Sequence, residues 1–153
     1  MNGIISALDI CHLPASCLLI ILIKRTTMTF VNINSFGTDH TIWMKGLGFY
    51  DDEIDIMESR LTELVARNTS FEARQGVEHF QNQFLIQKKN ISGLKHEVNS
   101  YVKKLSFDSE KHAGHVQDDL IPEHHSLHEK YEGLEKLMNG LRHEFLSYLG
   151  KWM

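Results

Sequence analysis

A chain of 153 residues has room for one domain with a real hydrophobic core, and a charged fraction of 24% is ordinary for a soluble protein. The formal net charge of −4 argues against nucleic acid as a main partner, because gripping phosphates needs a cationic face. The only cysteines, Cys11 and Cys17, both fall near the N-terminus, so the rest of the chain can carry neither a disulfide framework nor a thiolate zinc site.

The chain opens on an apolar run, "IISALDICHLPASCLLIILI", residues 4–23. At about 20 residues it has the length of a bilayer span. Asp9, His12 and Pro14 are costly inside a membrane. Lys24 and Arg25 follow the run, whereas a signal peptide places its positive charge first. Two readings stand: an anchor with its positive end in the cytoplasm, or a disordered or non-native segment with Met28 as the true start. Residues 28–38, "MTFVNINSFGT", have no helical period and read as a loose lead-in. The expected organisation is residues 1–38 as an apolar or disordered segment and 39–153 as a helical domain.

From Trp43 onward the apolar residues alternate steps of four and three. Trp43, Leu47, Tyr50, Ile54, Met57, Leu61, Leu64, Asn68 and Phe71 share one helix face. Asp39 is the expected cap of this first helix. Gly46 and Gly48 weaken its early turns by about 1 kcal/mol each relative to alanine. A second seam, out of phase with the first, runs Val77, Phe80, Phe84, Gln87, Ile91, Leu94, Val98, Tyr101 and Leu105. "TSFE", residues 69–72, fits a capping box with Thr69 as the cap and Glu72 reaching back. A connection this short forces antiparallel neighbours. The third seam is Leu120, His124, Leu127, Tyr131, Leu134, Met138, Leu141, Phe145, Tyr148 and Trp152, with Pro122 in its first turn. The predicted fold class is all-α, an antiparallel three-helix bundle of long coiled-coil-like helices over about 40–68, 70–115 and 119–152.

Charge supports this arrangement. Residues 44–68 carry three bases and six acids, residues 70–107 six bases and three acids, and residues 108–153 five bases and nine acids. A basic middle helix between two acidic ones favours packing within the chain and disfavours a lone pairing of the first helix with the third. The seams are also narrow, flanked by few apolar residues beyond Val65, Leu85, Ile86, Val102, Leu137 and Leu149. A narrow seam suits a coiled coil and leaves room for a partner or for self-association. Gln87 is a polar seam member, read either as a register device or as local tolerance.

The strings "WMKGLGFYDDEI", "VEHFQNQFLIQ" and "LRHEFLSYLGKWM" resemble a family of small bacterial all-helical, coiled-coil-like proteins of unknown function. The resemblance covers Trp43 to Met153 and brings no activity and no site residues. It implies only that Trp43 belongs to the domain.

Five of the ten histidines fall between His112 and His128. His112 and His115 are three apart, His124 and His128 four apart, and a hairpin would set His112 opposite His124. Imidazoles so spaced suit zinc or another divalent transition metal, with Asp108, Asp118, Asp119 and Glu123 as further oxygen donors. The plainer reading is a solvated turn, since connections between helices are polar. If the clustered imidazoles repel one another, stability is expected to fall modestly as pH drops from about 7 to 5; five independent titrations would leave only the solvated turn. No His-Glu-x-x-His zinc motif, nucleophile–base pair or glycine-rich phosphate loop is present. The expected function is therefore a non-enzymatic protein–protein interaction or structural module, cytoplasmic and without a cofactor. The alternatives are a metal-binding protein using His112, His115, His124 and His128, or the same module anchored to a membrane through residues 4–23.

Overall fold

The computed structural model describes residues 33–68, 70–111 and 120–152. The predicted membrane segment at 4–23 and the pair His112 and His115 lie outside them. Among the described residues there are three helices: α1 (Ile33–Arg67), α2 (Phe71–Lys111) and α3 (Leu120–Trp152). Among the described residues no helix is long and apolar enough to cross a membrane.

Cross-helix pairs fix the topology. Lys95 bonds Asp51 and Lys88 bonds Asp55 and Glu58, so α2 runs antiparallel to α1. Lys104 bonds Glu123 and Lys130 bonds Glu97, so α3 runs antiparallel to α2. His124 meets Asp39, Tyr50 meets Glu135 and Glu53 meets Arg142, so α1 and α3 are parallel. This is the up-down-up order that short connections impose. The basic middle helix binds both acidic neighbours, as its charge predicts. The two acidic helices nonetheless touch, and Arg142 lays a two-pronged guanidinium on Glu53 that offsets part of their like charge.

The seams become the core. Every predicted member of the second seam is buried, together with Ala73. In α1 the seam members Trp43, Leu47, Tyr50, Ile54, Met57, Leu61 and Leu64 are buried, but Asn68 is half-buried and Phe71 is 73% exposed, so the seam ends at Leu64. In α3, Tyr131, Tyr148 and Trp152 are half-buried and the others are buried. Gln87 is buried and its side-chain oxygen accepts from the Asn90 amide on the same helix at 3.1 Å.

Three local expectations change. The first helix begins at Ile33, not near 40, so Asp39 lies inside it rather than capping it. Phe36 and His40 are buried and continue the four–three stepping backward from Trp43. The cap of α2 is Ser70: its hydroxyl accepts from the Ala73 N–H at 3.3 Å, while its own N–H donates to the Asn68 side chain at 3.1 Å. Two glycines have packing roles. A Cβ on Gly46 would lie 2.0 Å from the Tyr131 hydroxyl, and one on Gly76 2.2 Å from the Tyr148 ring. Tyr148 uses that space to donate to the Ala73 carbonyl at 2.6 Å.

Candidate functional site

The end of the bundle where α1 and α3 begin is a cage of rings. α1 brings Phe36, Asp39, His40 and Trp43 to it, one face of two helical turns. α2 brings Tyr101, and α3 brings His124, His128 and Tyr131. The Tyr101 hydroxyl donates to the Leu120 carbonyl at 3.1 Å and so pins the first turn of α3 to α2. That places His124, one turn further on, against the rings of α1.

His124 is only 6% exposed. Its ring centroid lies 4.1 Å from Phe36, 5.0 Å from Trp43, 5.6 Å from His40 and 5.9 Å from Tyr101. Nε2 sits 3.2 Å from the Asp39 carboxylate, which selects the tautomer with the proton on Nε2. Nδ1 is then a bare acceptor, and it is buried without a hydrogen-bond partner among the described residues. The Nε2 of His40, which is also 6% exposed, is likewise buried without a hydrogen-bond partner among the described residues. Its ring stands edge-on to Tyr101, with centroids 5.1 Å apart. Each unpaired buried nitrogen costs about 1–3 kcal/mol of lost hydration.

This environment penalises charge. Burial holds the His40 pKa below 6.5, the neighbouring His124 adds to the effect, and Asp39 opposes it. Burial likewise lowers His124 against the pull of its hydrogen bond to Asp39, with His125 and His128 adding to the lowering. Burial pushes the Tyr101 hydroxyl up to about 12. The cage therefore holds two neutral imidazoles at neutral pH.

Of the four histidines predicted as metal ligands, His112 and His115 lie outside the described residues. The other two are not alike. His124 is sealed in the cage with one nitrogen committed to Asp39. His128 is about half exposed and pairs with Glu132 at 3.2 Å. Among the described residues no group of three or more histidine, cysteine, aspartate or glutamate side chains is placed to hold a metal ion. His125 is exposed, as its position beside His124 requires, and so are His79, His96 and His143. The partner that the sequence reading missed is His40. Stepping back three and then four from Trp43 would have found His40 and Phe36.

A second feature lies on the outer side of α1 and α3. Ile42, Phe49 and Ile56 are 54%, 59% and 63% exposed. They recur every seven residues and so form a stripe about 21 Å long at 1.5 Å per residue. Phe49 and Ile56 line an open hollow of about 460 Å³ whose α3 wall includes Leu146 and Leu149. Arg142 and Glu53 cross its floor. A scan against protein-family models, a search of curated proteins and a search of solved structures each return no match.

Proposed function

We propose that this chain is a non-enzymatic helical interaction module, and that the outer face of α1 with the adjoining edge of α3 is its working surface. The observation that carries the reading is the exposure of Ile42, Phe49, Ile56 and Leu146 in one region. Single exposed apolar residues need no explanation, but a periodic stripe beside an apolar hollow is what a docked helix covers. The caged imidazoles support the same reading. The two histidines most shifted from ordinary behaviour are walled by rings, and they serve packing rather than contact with a substrate.

Affinity capture with the wild-type chain and with a Phe49→Asp/Ile56→Asp variant tests the reading. Both positions are exposed, so the variant keeps its fold. Binding retained by the wild type and lost by the variant is the expected result. Equal binding by the two would remove this surface from consideration. A stoichiometric metal that survives dialysis of the untagged protein would overturn the reading in favour of the metal-binding alternative.

A further inference from the structure

We infer that the partner of this surface is a second copy of the chain, docked antiparallel across α1 with its two-fold axis at Phe49. The inference rests on the interaction-module reading and goes beyond it by naming the occupant. The argument is the pattern on the exposed stripe. In chain order it reads Ile42, Lys45, Phe49, Asp52, Ile56, all exposed. Reversed about Phe49, Ile42 falls on Ile56 and Phe49 falls on itself. Lys45 falls within about one residue rise, 1.5 Å, of Asp52.

Charge then completes the match. Lys45 and Asp52 are seven residues apart, so they flank the stripe on the same side of the helix. Antiparallel helices bring like sides together, so Lys45 of each copy meets Asp52 of the other. A two-fold axis makes that ion pair twice. The other flank carries Gly46 and Glu53. Glu53 is already held by Arg142, and the reversal sets it against Gly46, which carries no charge. The axis also closes the assembly as a dimer rather than propagating a filament. Leu146, beside Ile56 on the hollow, widens the apolar strip at both ends of the interface.

The covered surface is small. Three stripe residues and Leu146 per copy place the interface at the low end of specific contacts, so the dissociation constant is expected in the range of about 10–100 µM. Sedimentation velocity on the full chain between about 5 and 200 µM spans that range. The wild type is expected to shift from its monomer mass of 17.7 kDa toward twice that value. Phe49→Asp is expected to remain monomeric with an unchanged helical circular dichroism signal. Lys45→Asp and Asp52→Lys each replace two attractions with two repulsions, and each should weaken association by roughly fivefold to tenfold. Mixed together, the two single variants should associate as well as the wild type, because every pair in the mixed dimer is again opposite in sign.

A chain that stays monomeric throughout overturns the inference. Self-association that Phe49→Asp leaves intact overturns it, because the contact then lies elsewhere. Failure of the mixed variants to recover overturns the antiparallel register. If the wild type is monomeric yet binds a different protein in a Phe49-dependent way, the dimer is refuted and the interaction-module reading survives.

Discussion

Acid should loosen the ring cage before it reaches the rest of the bundle. His40 and His124 are neutral in the fold because burial penalises their charge. In the unfolded chain both charge as the pH drops through about 6.5. The folded pKa is lowered, so the folded chain binds fewer protons, and protonation favours unfolding. The loss begins as pH falls through about 6.5 and continues until the folded-state pKa is reached. A group that is neutral folded and charged unfolded gives up about 1.4 kcal/mol per pH unit, so two give a limiting slope of about 2.7. Asp39 reduces the slope at His124, since its carboxylate favours the protonated ring. The titratable groups that act on the two rings are thus Asp39 on α1 and His125 and His128 on α3, with Tyr101 on α2 neutral throughout this range. Urea unfolding between about pH 7.5 and 5.5 measures the slope, and variants isolate the groups. His40→Phe should lower the acid slope by up to about 1.4 kcal/mol per pH unit. Asp39→Asn should steepen it, because the one favourable charge is gone. A His40→Phe slope equal to that of the wild type, or an Asp39→Asn slope that becomes shallower, would refute this account. Imidazole titrations showing His40 above 6.5 would do the same.

Leu94 is 6% exposed in mid-seam, so Leu94→Asp should cost several kcal/mol and collapse the helical circular dichroism signal at room temperature. Gly48→Ala adds a Cβ with nothing within 4 Å and should stabilise by about 1 kcal/mol in thermal melts. Gly46→Ala must displace Tyr131 and should gain less or lose stability, so equal gains at the two positions would remove the packing role assigned to Gly46. Ser70→Ala removes the α2 cap and should cost about 1 kcal/mol by chemical denaturation. Arg142→Lys keeps the charge but not the two-pronged contact with Glu53, and a loss of about 1 kcal/mol is expected in the same assay, with no change if the contact is only a solvated ion pair.

What the sequence by itself determined is what short-range periodicity can encode. A four–three stepping over nine residues places Val77 to Leu105 on one face whatever that face meets, and every one of those residues is buried. The break in phase near Asn68 marks a turn for the same local reason. The alternating charge of the three helices set which lysines would find acids, because Coulomb attraction acts between whole faces. The ends were harder. Ser35, Gly37 and Thr38 dilute the apolar signal around Phe36, so a helix held by tertiary burial looks like a loose lead-in. His124 was visible as a seam member, but a seam position does not reveal its neighbours. Only the packing of α1 against α3 set it beside His40 and Asp39, and that made desolvation outweigh repulsion between imidazoles in lowering its pKa. Gly46 is a weak helix residue by propensity and a needed one in the fold, because the Tyr131 that occupies its missing side chain comes from 85 positions away in the chain. Likewise the stripe at Ile42, Phe49 and Ile56 is present in the sequence, but three helices had to pack before it was clear which apolar residues remain outside. Burial is a sum over the whole chain, and no local window contains it.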